Sequence, residues 1–248
     1  MSSKLANELN IFDHLRELRS RIIYSLLAIT ITTILAYWRY DDLIALLYQP
    51  FAILESEGGH ALYATSLFEG FVVRVKISIL AGVLLAVPFL LYHTIKFVLP
   101  ALKIRERQFV AGALAAGGAL AVGGALYGYY WIVPLCIKFM TAAEFIPRRV
   151  GLLLNFEQNI FYVLQFLLIV VLVFQLPVVL TTLLSMNLLS RRGMLKYGRH
   201  VVVLLFIVAA VITPPDIVSQ LAVALPLTVL YYLSILLAVI FGWGKGEV

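Results

Sequence analysis

The acids of this chain that could do chemistry sit where bases or apolar residues crowd around them. The run Phe12-Asp13-His14-Leu15-Arg16-Glu17-Leu18-Arg19-Ser20-Arg21 sets Glu17 among three arginines. On a helix Glu17 and Arg21 stand four apart, and such a solvated pair contributes about 0.3–0.5 kcal/mol. A second run, Phe97-Val98-Leu99-Pro100-Ala101-Leu102-Lys103-Ile104-Arg105-Glu106-Arg107, surrounds Glu106 with bases in the same way. A carboxylate so placed is either paired with its neighbours or open to a cationic guest, and the residues alone favour the pair. Gln165 and Gln175 interrupt a strongly apolar stretch, and ten residues at roughly 100° each put them on one broad face. A neutral amide in hydrocarbon needs a partner, either another helix, cavity water or a ligand, and a helix–helix hydrogen bond is the favoured reading. Asp216, after Thr213-Pro214-Pro215, suits a helix cap.

Other chemistry fails on inspection. Gly244-Lys245-Gly246 lacks the Ser or Thr and the upstream spacing of a phosphate loop. There is no GxSxG elbow and no HExxH. The four histidines, His14, His60, His93 and His200, have no metal-ligand spacing, and the lone Cys136 excludes an internal disulfide or CxxC site. The expectation is a binding protein with no catalytic residue, metal or cofactor.

The elements that must position these residues are dictated by composition. Of 248 residues 62% are hydrophobic and 13% charged, with a mean hydropathy of +1.00. A soluble domain carries about 25% charged residues, so this surface faces lipid. Six apolar runs, 22–38, 75–92, 109–135, 160–186, 200–213 and 217–241, are read as transmembrane helices in one membrane domain, each needing about 20 residues to cross ~30 Å. The fifth has only 14 residues, or about 21 Å, so it should thin the bilayer or hide among neighbours. The turn Thr213-Pro214-Pro215-Asp216 joins the last two runs as a hairpin. Residues 1–21 read as an amphipathic helix on the inner membrane surface, not a removable leader. Residues 39–74, with Pro50 and Gly58-Gly59, read as a cap over the outer helix ends. Gly124 and Gly128, at GxxxG spacing, read as a packing stripe, and Pro88, Pro177 and Pro226 as kinks suited to a curved wall.

Charge sets the direction. With both termini inside, inner segments hold 13 of the 19 Lys and Arg and outer segments 6, which the positive-inside rule favours. Topology thus accounts for the net charge of +6, and no nucleic-acid partner is needed.

Taken together, His14-Leu15-Arg16-Glu17-Leu18-Arg19-Ser20-Arg21, Phe97-Val98-Leu99-Pro100-Ala101-Leu102 with Glu106-Arg107, Phe174-Gln175-Leu176-Pro177 and Thr213-Pro214-Pro215-Asp216 resemble TatC, the multispanning receptor family of the twin-arginine protein translocase. The resemblance runs from about residue 10 to 242 with the motifs in family order. It implies an all-α, glove-shaped bundle of six transmembrane helices, the last two short, in the inner cell membrane with both termini cytoplasmic. It implies recognition of signal peptides with two consecutive arginines on folded cargo, TatA- and TatB-like single-span partners, a homo-oligomeric working complex in membrane lipid, and the proton-motive force as drive. By motif, Glu17 and Glu106 become the signal-peptide carboxylates, supported by Arg19 and Phe97. Pro50 and Asp216 match outer-face functional positions. Gln175 matches a polar position of the membrane cavity, with Gln165 beside it. Many relatives carry glutamate where this chain has Gln175. At membrane depth that acid would be protonated, so hydrogen bonding, which glutamine keeps, is the property expected to matter.

The arithmetic divides the labour of such a receptor. Arginine's planar fork meets a carboxylate bidentately, whereas lysine is a point charge. Two charged contacts give roughly 3–6 kcal/mol before screening, short of the ~8 kcal/mol of a micromolar complex. The apolar part of the signal, lying against the buried concave face, is expected to supply the rest. A solute transporter lined by Gln165 and Gln175 is the alternative. It is disfavoured because the two halves show no repeat and no intramembrane acid is present to couple protons. An intramembrane hydrolase would need a nucleophile and a base at depth, and His93 and His200 lie at the inner ends.

Overall fold

The structure is a computed structural model. It describes residues 2–51, 62–98, 106–142, 153–213 and 216–245, with side chains described within these from Leu15 onward, apart from residues 98 and 106–110. The elements are α1 (Ser2–Trp38), α2 (Tyr40–Tyr48), a 3₁₀ turn (Gln49–Phe51), β1 (Leu62–Tyr63), α3 (Glu69–Val98), α4 (Glu106–Tyr127), a π turn (Gly128–Ile132), α5 (Val133–Met140), β2 (Leu154–Asn155), α6 (Phe156–Val173), α7 (Leu176–Ser185), α8 (Arg191–Ile212) and α9 (Ile217–Ile240). Among the described residues six helical stretches are long and apolar enough to cross a membrane: Leu15–Trp38, Glu69–Phe97, Ala111–Met140, Phe156–Ser185, Arg191–Ile212 and Ile217–Ile240. Six crossings return both chain ends to one face.

The last two spans, of 22 and 24 residues, are shorter than the second to fourth, of 29, 30 and 30. The fifth nevertheless exceeds the 14-residue apolar run. Ser190 caps α8 by accepting from the Gly193 amide at 3.0 Å, which starts the helix at Arg191, ahead of the apolar run. The N-tail also departs from expectation. Residues 2–38 form one uninterrupted helix, so the tail continues the first span rather than lying as a separate surface element. No Gly or Pro occurs between Ser2 and Trp38 to stop it.

In α3 and α9 the prolines Pro88 and Pro226 stay inside continuous helices, whereas the fourth span breaks at Phe174-Gln175, just before Pro177. The third span relieves Pro134, which lacks an amide, through the wide turn at Gly128–Ile132.

Most consecutive spans pack together, and two pairs distant in sequence join them. The first span packs on the second; the second touches the third and fourth; α9 lies against both α7 and α8. One buried cluster joins Ala36, Leu47, Val73, Ile77 and Leu164, and another joins Leu184, Leu205, Val223 and Tyr231. Gly124 and Gly128 are packing positions: a Cβ on Gly124 would stand 2.9 Å from the Phe174 ring, and one on Gly128 3.0 Å from Leu167. Leu26, Ile31, Val211, Val229 and Leu236 are exposed, as lipid-facing side chains should be.

On the face opposite the chain ends, α2 and the 3₁₀ turn lie over the helix ends, with Leu47, Pro50 and Phe51 buried. Tyr129 fastens them: its hydroxyl donates to the Leu46 carbonyl at 2.6 Å and lies 3.1 Å from Gln49 Oε1. Residues 52–61, with Glu55, Glu57 and Gly58-Gly59, lie outside the described residues, as do Pro214 and Pro215 of the hairpin turn.

Candidate functional site

Two rims at the chain-end face carry the signal-peptide residues expected from sequence. On α1, Arg21 Nη2 donates to Glu17 Oε1 at 2.8 Å, and both side chains are partly buried. The helical pair is therefore formed. Arg16 and Arg19 on the same helix are exposed. Phe97 sits at the end of the adjoining α3, half-buried, and Lys96 beside it lies 4.8 Å from the Tyr92 ring centre. Glu106 begins α4, but its side chain, like Pro100 and the connection 99–105, lies outside the described residues. Glu17 and Arg19 thus lie midway along α1, and Phe97 at the end of the α3 helix packed against it.

The paired-glutamine expectation is corrected. Gln175 is 4% exposed, whereas Gln165 is exposed on the fourth span. Ten residues at roughly 100° each leave them about 80° apart, enough to put Gln175 on the buried side and Gln165 on the exposed one. Gln175 Nε2 donates to the Val171 carbonyl at 3.3 Å, so its amide is spent within its own helix. Its Oε1, close to Gly117 of α4, is buried with no hydrogen bond. A polar atom of this kind invites a donor.

Asp216 caps α9. Its Oδ2 accepts from the Ser219 amide at 2.6 Å, while Oδ1 is buried with no hydrogen bond among the described residues. Cys136 Sγ lies 3.6 Å from Ser219 Oγ beneath it. The sequence-derived cap is thus present, inside a buried setting.

Three groups escaped the sequence reading. Glu69, 3% exposed, accepts from Thr65 N, Thr65 Oγ1, Ser66 N, Asn155 Nδ2 and the Glu157 amide. Its signal was available, because Ser66-Leu67-Phe68-Glu69 is a capping box ahead of an apolar run. Arg74 lies 4.5 Å from the Tyr37 ring centre and 5.1 Å from that of Tyr40. Burial pushes the Tyr40 hydroxyl pKa up, against the pull of Arg74. Gln220 Nε2 donates to the Phe206 carbonyl at 3.1 Å. It lines a groove of about 600 Å³ with Val202, Phe206, Ile207, Ala210 and Val211. No cluster of three metal-ligating side chains occurs among the described residues.

The family model for TatC, the Sec-independent protein translocase protein, matches residues 13–226. The chain belongs to the TatC family. A TatC of Carboxydothermus hydrogenoformans is 33% identical over 231 residues, covering 93% of each chain. One of Aquifex aeolicus is 30% identical, covering 95% of this chain and 97% of its own. A crystal structure of the twin-arginine translocase receptor TatC in DDM superposes with a TM-score of 0.78 at 30% identity, covering 94% of this chain and all of that one. As a TatC-family chain the protein is a multipass membrane component of a protein translocase.

Proposed function

We propose that this chain is the signal-peptide receptor of a twin-arginine translocase, with both termini and the Glu17 rim in the cytoplasm of a cell whose inner membrane it spans. The observation that carries the reading is Glu17, held half-buried by Arg21 beside the end of α3, in a chain whose solved relatives are twin-arginine translocase receptors. An i,i+4 pair contributes only about 0.3–0.5 kcal/mol. A bidentate charged contact is worth about 1.5–3 kcal/mol before solvent screening. An incoming arginine therefore displaces Arg21 at small cost, and Arg21 keeps Glu17 oriented until it does. Glu106 supplies the second carboxylate. The apolar segment of the signal lies against the membrane-buried wall containing Gln175 and provides most of the affinity.

The test is binding of purified protein to a fluorescent twin-arginine signal peptide, its Lys-Lys version, and both again on a Glu17→Ala/Glu106→Ala double variant. The Arg-Arg peptide should bind about tenfold tighter than Lys-Lys, and the double variant should erase that preference. Equal binding in all four combinations would return the chain to the solute-transporter alternative.

The groove beside Gln220 supports a further element of this reading, docking of TatA- or TatB-like single helices along residues 200–241 in the proton-driven, homo-oligomeric complex. Photocrosslinkers at Ile207 and Val211 should capture such partners. Capture only from the first span would reject this edge.

A further inference from the structure

We propose that an anionic phospholipid occupies the wedge between the first and second spans in the chain-end leaflet. The two helices touch most closely at Gly82, where Thr32 Oγ1 donates to the Gly82 carbonyl at 2.7 Å. On the chain-end side of this contact a cleft opens along their surface. The cleft between them, about 470 Å³, is lined by Arg21, Tyr24, Leu27, Ile31, Phe89 and His93. Pro88, between the pinch and the cleft, cannot donate to the carbonyl of Leu84, although α3 continues through it.

The cleft is graded as a lipid is graded. From Ile31 to Arg21 is ten residues, or about 15 Å of helix, which is one leaflet of a ~30 Å hydrocarbon core. Leu27, Ile31 and Phe89 form the deep walls and are about half exposed. The mouth is polar and aromatic. His93 stacks on Tyr24 at 5.7 Å and meets the edge of Tyr92 at 5.2 Å.

Two nitrogens at the mouth are buried without a hydrogen bond among the described residues, Arg21 Nε and His93 Nδ1. The Arg21 bond to Glu17 uses Nη2 and leaves Nε available. Arg21 Nε is always a donor and needs an acceptor, and His93 Nδ1 needs one in the tautomer that carries its proton there. A phosphate oxygen at headgroup depth supplies one, as the hydrocarbon below it does not.

Charge selects which phospholipid. The described charged groups at the mouth are Arg21, Lys96 and Glu17, and Arg21 and Lys96 are the charged neighbours that act on His93. With Glu17 offsetting one cation the rim stays positive, which favours an anionic headgroup over a zwitterionic one. This proposal does not depend on signal-peptide recognition.

Native mass spectrometry of the full chain, released from an equimolar mixture of phosphatidylglycerol and phosphatidylcholine, tests it. Wild type should retain phosphatidylglycerol about tenfold over phosphatidylcholine. Arg21→Gln should bring the ratio to parity, Ala28→Trp should abolish retention by filling the cleft, and Lys196→Gln, on α8, should change neither. If Ala28→Trp does not fold, Arg21→Gln decides alone. Parity in wild type would overturn the proposal, as would preference surviving in Arg21→Gln. Stripping of the lipid by excess inorganic phosphate would make this a soluble-anion site, and displacement by a twin-arginine peptide or a TatA-like helix would make it a protein site. Either result would likewise overturn it.

Discussion

Gly82→Val should release the first span from the second and leave little folded protein. A Cβ on Gly82 would stand 2.2 Å from Thr33 Oγ1, 2.6 Å from Thr33 Cα and 2.7 Å from Thr33 N. Two of those atoms are backbone, so no rotamer change relieves the overlap. In lipid there is no hydrophobic force pressing helices together, and close packing with interhelical hydrogen bonds must suffice. The first span rests chiefly on the second. Only 6% of its most apolar window is buried, against 33% to 50% for the second, third, fourth and sixth spans. Overpacking in a tight core costs about 1–3 kcal/mol, and contact with fixed backbone should exceed that range. Gly82→Ala should be clearly destabilised and Gly82→Val worse. Thr32→Val, which removes the hydroxyl shared among the carbonyls of Gly82, Ala28 and Ile29, should lose about 1 kcal/mol or less. Thermal unfolding in detergent ranks the three, and wild-type stability for Gly82→Val would refute the pinch.

Glu69→Ala should loosen the whole face opposite the chain ends. The carboxylate gathers five donors, two of them from the α6 side, Asn155 Nδ2 and the Glu157 amide. It thereby ties the entry to α3 to the entry to α6, beside the parallel ladder that pairs Leu62 with Leu154 and Tyr63 with Asn155. A two-residue ladder is too short to hold by itself. Lys76 and Glu157 form an ion pair on the same seam. Alanine leaves buried amides with no acceptor, a larger penalty than the loss of the bonds alone. Hydrogen exchange at Thr65, Ser66 and Glu157 should accelerate about tenfold or more, and the apparent unfolding temperature should fall by about 5 °C or more. Glu69→Gln should be intermediate, because one acceptor oxygen remains while the new NH₂ faces donors. Unchanged exchange in the alanine variant would show that the ladder and ion pair suffice.

These residues show what the sequence made legible. Hydropathy located all six spans because lipid forces a nearly unbroken apolar run. It misplaced helix ends because it reports depth in the membrane rather than hydrogen bonding. The helix through Arg191, Arg192 and Lys196 is invisible to it, although Ser190 marks the start as a cap. Gln175 drew attention as an amide in hydrocarbon. Its separation from Gln165 could not be read, since an offset of about 80° does not say where the buried face ends. Glu69 was overlooked at the margin of an apolar run, despite its capping-box spacing. Gly82 gave no sequence signal at all, because one glycine among sixteen looks like any other until Thr33 is set against it. The cluster of motifs from Glu17 to Asp216 was legible as a family pattern. Chemistry alone left each acid with a structural explanation.

The placement of α9 between α7 and α8 governs biogenesis. As the chain is made, the fifth span enters the membrane before the helix it chiefly rests against exists. It must wait in lipid until residues 217–240 follow, and the two then join α7 as a pair. A nascent chain halted near residue 216 would present a tethered, unseated helix to the quality-control proteases of the membrane, whereas one halted after residue 240 would not.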